Sequence, residues 1–292
     1  MTPEQQAIFD DIHRQVDEGR LRLPSFPRNL IKIRMALNDP NISIEQLTRI
    51  VHHDATLVNR FYSLARSAAF SLDTENLTLF RILRMLGLNT IRSIVYNYCL
   101  SQLYSARKLK KVEELSLFVR NRSLEIAGLN YSVSKMYELE DAPTALLCGL
   151  LHNVGALVII SWLANTSEVS LTLKEQKALV VMGQQAFTER VAASWELPNA
   201  IQQAVVANGH DHQKSEIQEK SKFQEKSNYQ QASTYHYIMD VSRWLSRVFR
   251  NSSQVNSMPH VAIEGLSLDP DQLLTSKSDI MAEMIRVIQT IR

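Results

Sequence analysis

Apolar positions recur at intervals of three and four along nearly the whole chain, with no convincing set of alternating strands, so the pattern predicts an all-α protein. Leu23-Pro24-Ser25-Phe26-Pro27 sets a rigid extended lead-in. After it Leu30, Ile33, Met35 and Leu37 line a predicted helix that stops at Asn38-Asp39-Pro40. Ser43, with Gln46 three residues on, makes a capping box for the next helix, whose inward stripe is Ile44, Leu47, Ile50 and Val51. Asp54 is placed to cap a helix bearing Leu57, Val58, Phe61, Leu64 and Ala65, and Ser67 to Ala69 are small enough for close approach. Asn76 to Leu86 and Leu88 to Tyr104 read as a helix pair broken at Gly87 by a left-handed cap.

The basic run Arg107-Lys108-Leu109-Lys110-Lys111 reads as a solvated hinge between two helical lobes, residues 1–106 and 107–292. A longer helix follows, Val112 to Tyr137, and Asp141 with Pro143 then opens an uncharged apolar segment reaching Ser167. Thr188 to Glu196 and Asn199 to Ala207 flank the stop at Leu197-Pro198. From Gln213 to Gln231 the composition turns to Gln, Lys, Glu and Ser, which predicts a mobile excursion. Helix resumes near Ala232 with Tyr235, Ile238, Val241, Trp244, Leu245 and Val248 on one face, and Asp269-Pro270 starts a terminal helix through Ile291. No internal repeat is visible, which argues against a solenoid.

Composition narrows the function classes. With 292 residues, 45% hydrophobic and 21% charged, the chain can bury one large core or two that share an interface. A formal net charge of +2 supplies no global field for nucleic acid or an anionic membrane. Cys99 and Cys148 lie far apart in apolar surroundings, as buried free thiols of a reducing compartment do, and the expected location is cytoplasmic. The amino terminus has no basic start followed by an apolar core, so no secretory signal is read there. Leu146 to Ala164 is long enough to span a bilayer. His152 and Asn153 near its middle would be costly in hydrocarbon, so a buried core helix is the expectation, with no membrane partner.

The candidate chemistry sits in Gly149-Leu150-Leu151-His152-Asn153-Val154-Gly155. With aspartate at position 153 the pair would be half of a hydrolytic metal site, imidazole nitrogen beside carboxylate oxygen. Asparagine offers a carbonyl oxygen without the charge that makes burying a cation tolerable. His210-Asp211-His212 offers zinc or nickel an adventitious site, but consecutive residues do not easily converge on one ion, so it reads as a surface loop, and His52-His53 as one packed ring and one solvated ring. There is no Gly-x-Ser-x-Gly elbow and no phosphate-cradling glycine loop, so no catalytic residue is named. Arg81, Arg84 and Arg92, with Lys108, Lys110 and Lys111, could form a basic face, but solvation of an outer helix face explains them as well, and nucleic acid is not expected as a partner.

The ordered punctuation resembles the HDOD family, the HD-related output domain of bacterial signalling proteins. The matching residues are Leu23-Pro24 with Pro27; Asn38-Asp39-Pro40 with Ile44, Leu47 and Ile50; Asp54 with Leu64-Ala65-Arg66-Ser67-Ala68; Leu86-Gly87-Leu88; Gly149 to His152 with Gly155; and Trp195-Glu196-Leu197-Pro198. Together they cover roughly Leu21 to His210. The resemblance implies an amino-terminal helical bundle and a second lobe similar to HD phosphohydrolases.

Those enzymes hold metal through a His, a His-Asp pair and a final Asp, and by local pattern these positions fall at Arg122, at His152 with Asn153, and at Asp240. A further His-His pair that many family members carry falls at Asn208 and Gly209. A guanidinium cannot ligate a cation and repels one. The expectations that follow are a degenerate site of Arg122, His152, Asn153 and Asp240 in which Arg122 pairs with Asp240, no metal and no cofactor. The function expected from the resemblance is a non-catalytic regulatory module acting on another signalling protein, with the degenerate pocket open to a small regulatory ligand. The alternative is a metal-dependent phosphohydrolase acting on a nucleotide or cyclic dinucleotide.

Overall fold

A computed structural model describes residues 2–66, 77–105, 107–166, 171–206 and 223–291 as fourteen α-helices joined by 3-10 turns and loops, with no strand among them. Helix α1 (Pro3–Asp17) went unread in the sequence although Thr2 and Gln5 form a reciprocal capping box at its start. Its inner side buries Ile8 and Ile12, and its Phe9 ring meets Phe187 edge-on at 5.8 Å, which ties the amino terminus to a helix far along the chain.

Helix α2 (Ile31–Asn38) buries Ile33 and Leu37 as expected, but Met35 is 59% exposed. Two residues on from Ile33 is more than half a turn round the helix, so Met35 points outward while Arg34 takes the inward place. Helices α3 (Ile44–Val51) and α4 (Ala55–Arg66) begin where the sequence places them. Ser43 and Gln46 cap each other at 3.2 and 3.0 Å, and Asp54 accepts from the Leu57 amide at 2.9 Å. His52 and His53 are both exposed, so neither ring packs. Ser67 to Ala69 lie outside the described residues.

Helix α5 (Leu79–Tyr104) is capped by Thr78 and kinked at Gly87, whose φ of 73° has the expected sign. Its ψ of 159° is not that of a left-handed helical cap; the backbone occupies an extended mirror region that only glycine enters freely. The connector forms a 3-10 turn, Arg107–Val112, that leaves Lys110 and Lys111 in solvent, as a solvated connector requires, and buries Leu109 and Val112.

Helix α6 (Glu113–Met136) leads to α7 (Ala142–Leu151), capped by Asp141, which accepts from the Thr144 amide. The apolar segment does not continue as one helix. It turns at residues 152–155 and restarts as α8 (Ala156–Asn165), and 94% of its most apolar window is buried within the fold. Helix α9 (Leu173–Ser194) starts well before Thr188, at a Thr172–Glu175 capping box, and α10 (Asn199–Val206) follows Leu197-Pro198. Helix α11 (Phe223–Arg250) begins before Ala232, so residues 223–231 of the predicted excursion are helical. The rest of it, with Asn208, Gly209 and His210-Asp211-His212, lies outside the described residues. The predicted terminal helix is divided near Ser276, after α12 (His260–Gly265), into α13 (Pro270–Thr275) and α14 (Lys277–Ile291).

One contiguous set of buried apolar side chains runs from Ile8 to Ile291. Long-range polar bonds stitch its ends: the Trp195 indole donates to the Pro24 carbonyl at 2.7 Å, and Asn97 donates to the Ile291 carbonyl at 2.5 Å. Cys99 and Cys148 are buried free thiols, and burial raises both pKa values, that of Cys148 to about 12.

Candidate functional site

Four elements meet around a cavity of about 320 Å³: α6, the turn between α7 and α8, α9 and α11. The turn exists because of Gly155. A Cβ there would drive into the carbonyl of Gln184 and the amide of Thr188, so only glycine lets α8 approach the α9 backbone this closely. The Gly155 amide donates to the Thr188 hydroxyl at 3.2 Å and fixes that approach. Gly149 is pressed against Ala127 of α6 in the same way, with a Cβ reaching the Ala127 Cα at 2.5 Å. These contacts hold His152 and Asn153 against the cavity.

His152 is buried, and its Nδ1 donates to the Gly149 carbonyl at 2.7 Å, which leaves Nε2 as the lone-pair nitrogen. Burial, aided by the positive charge of Arg243 and then of Arg122 and opposed by the Gly149 carbonyl, depresses its pKa to about 3. The ring is therefore neutral at ordinary pH. Asn153 is equally buried; its Oδ1 accepts from the Ser123 hydroxyl at 2.6 Å and its amide donates to the Val119 carbonyl at 3.4 Å. It acts as a brace between the turn and α6.

Arg122 lines the cavity, as the sequence predicts, but it does not pair with Asp240. Its guanidinium bonds Glu125, one turn along α6 at 3.0 Å, and the Ser246 hydroxyl of α11. Ser246 donates in turn to Glu125 at 2.5 Å, and Arg250 approaches the same carboxylate at 3.5 Å. A neighbour on the same helix turn competes for an arginine more cheaply than a residue on another helix. Asp240 stands outside the cavity, 3.2 Å from Arg243 and 3.4 Å from His236.

Arg243, Arg247, Gln184 and Gln185 complete the polar lining with Asn153, and Phe118, Val119, Val180 and Val181 supply the apolar part. Sequence reading missed these two arginines. Their signal is the spacing His236, Asp240, Arg243, Arg247, Arg250, which places all five along one face of α11. The basic face suggested for Arg81, Arg84 and Arg92 is broken at its last member, since Arg92 donates to the Leu37 carbonyl at 2.5 Å and to Asn89 at 2.8 Å.

The lining does not fit a divalent cation. It offers only neutral donors, one imidazole and the amide oxygens of Asn153, Gln184 and Gln185, the first of these already engaged by Ser123, and they face three guanidiniums with no carboxylate among them. Among the described residues no three His, Cys, Asp or Glu side chains converge as a metal-holding group.

A family model described as HDOD domain matches residues 23–211. An uncharacterized protein of Treponema pallidum (strain Nichols) is 22% identical over 143 residues, which is 48% of this chain and 26% of that protein, so the chain spans about a quarter of its curated relative. A crystal structure from Shewanella amazonensis SB2B, provisionally named a metal-dependent phosphohydrolase, superposes with a TM-score of 0.75 at 18% identity over 99% of both chains. An HDOD domain protein of unknown function from Geobacter sulfurreducens gives 0.57 at 15% identity, covering 98% of this chain and 99% of that one. A structure from Marinobacter aquaeolei VT8, provisionally named a signal transduction protein, gives 0.58 at 14% identity over 98% of this chain and 66% of its own. At such identities the likeness is one of fold.

Proposed function

Because the chain belongs to the HDOD family, we propose that it is a non-catalytic signal-transduction module that acts by binding another signalling protein. One observation carries this reading: where HD phosphohydrolases gather imidazoles and carboxylates, this cavity is lined by Arg122, Arg243 and Arg247 beside a single histidine. Metal-assisted hydrolysis needs a bound cation to activate water, and guanidiniums raise the cost of placing one there. Exposed apolar side chains at Leu117, Val181 and Met182, the second of them at the cavity, supply surface for a protein partner.

The test has two parts. Protein purified without chelators is analysed for bound metal and assayed with manganese for phosphodiesterase and phosphomonoesterase activity, and no turnover above the blank is expected. Affinity capture from the native cell is expected to return a stable partner that Met182→Asp, an exposed position outside the cavity, releases. Manganese-dependent hydrolysis that His152→Ala abolishes would overturn the reading in favour of the phosphohydrolase alternative.

A further inference from the structure

Arg122, Arg243 and Arg247 reach one cavity from two helices, and no carboxylate lines it. Two of these guanidiniums are paired with acids that do not line it, Arg122 with Glu125 and Arg243 with Asp240. Arg247 is exposed and makes no ion pair among the described residues. His152 adds no charge, so the surplus is that of Arg247, with Arg250 close by on the same helix face. This electrostatic surface invites an anion in a space where a cation is unwelcome.

The shape narrows the anion. About 320 Å³ lies at the lower end of the range for small-molecule sites, roughly 300–1,000 Å³, which suits one compact ring or chain and not a dinucleotide. One wall is apolar, formed by Phe118, Val119, Val180 and Val181, and the other carries the arginines with Asn153, Gln184 and Gln185. Guanidinium forks match the oxygens of a phosphate in paired hydrogen bonds and stay charged at any working pH.

We propose that this cavity binds a small organic phosphomonoester, its phosphate held by Arg243 and Arg247 and its organic part resting on Phe118, Val180 and Val181. The site deepens the non-catalytic reading and rests on it in one respect: the phosphate is held and not cleaved. Asn153 and His152, braced by Ser123 and the Gly149 carbonyl, form a fixed floor beneath it.

The experiment is a phosphorus NMR titration of the full chain with adenosine 5′-monophosphate, and separately with inorganic phosphate, at constant ionic strength. The nucleotide resonance is expected to broaden and shift on the unaltered protein. Arg247→Ala is expected to weaken binding at least tenfold, about the loss of one strong charge-assisted contact. Val181→Asp, which sets a carboxylate at the cavity without removing an arginine, is expected to weaken it likewise. Both positions are exposed, so both variants are expected to fold, and circular dichroism checks that they do. Absence of broadening with either probe, or equal binding by all three proteins, would sink the site, as would displacement of the nucleotide by succinate but not by phosphate. Growth of a free phosphate resonance from the nucleotide would leave the site standing and overturn the non-catalytic reading instead.

Discussion

Arg122 and Glu125 stand one turn apart on α6 with Nη1 3.0 Å from Oε2, so a guanidinium of the cavity brings its own counter-ion. Both are partly buried, and Glu125 also receives the buried Ser246 hydroxyl at 2.5 Å. Burial lowers the Arg122 pKa and the Glu125 charge opposes that, so the pair is held together by mutual need. Glu125→Gln is expected to lower stability by about 1–2 kcal/mol through the weakened charge-assisted bonds. Added phosphate is expected to raise the variant's Tm by more than it raises that of the parent, because an anion then supplies the missing charge. Thermal unfolding of both proteins with and without phosphate checks this.

His152 makes stability depend on pH in a defined window. The unfolded chain takes up a proton near pH 6.5, whereas the folded ring resists until about pH 3. Between those values the unfolded state binds more protons, so the stability present above pH 6.5 falls as pH drops and the loss is complete near pH 3. At pH 5 the loss is about 2 kcal/mol by linkage. His152→Gln is expected to lack this slope, and urea unfolding of parent and variant at pH 7 and pH 5 measures the difference. Parallel pH profiles would contradict a neutral buried ring.

Arg34 is expected to matter far more than its ion-pair partner. It is buried, donates to the Trp195 carbonyl at 2.5 Å and meets Glu196 at 2.8 Å, while the Glu196 side chain is largely exposed. Arg34→Met leaves the Trp195 carbonyl without its donor and is expected to cost about 1–3 kcal/mol. Glu196→Gln removes only a solvated partner and is expected to cost less than about 1 kcal/mol. Chemical denaturation of the two variants gives the ratio.

What the sequence made legible was local. The caps at Ser43, Asp54, Asp141 and Asp269 and the break at Gly87 follow from side-chain and backbone chemistry within a few residues, and the structure has each of them. The stop at 152–155 was not legible, because its cause is the α9 backbone pressed against Gly155, a neighbour some thirty residues away. Arg34 turned inward for a similar reason: its partners at positions 195 and 196 are tertiary.

The candidate site divides along the same line. Arg122, His152 and Asn153 were found from pattern and do meet at one cavity, while Asp240 is screened from it by Arg243. The pairing of Arg122 failed because Glu125 is nearer along its own helix. Arg243 and Arg247 were missed because a charged stripe on a helix is ordinarily solvated, and only the packing of α11 on α6 sets this one beside the cavity.

The contact between Gly155 and α9 has a consequence for the cavity. Main chain lies on main chain there, with no rotamers to rearrange, so the turn that carries His152 and Asn153 is seated firmly on α9. Any adjustment at this cavity therefore falls to the side chains at its mouth, Val181, Arg247 and the two glutamines, while the floor keeps its shape.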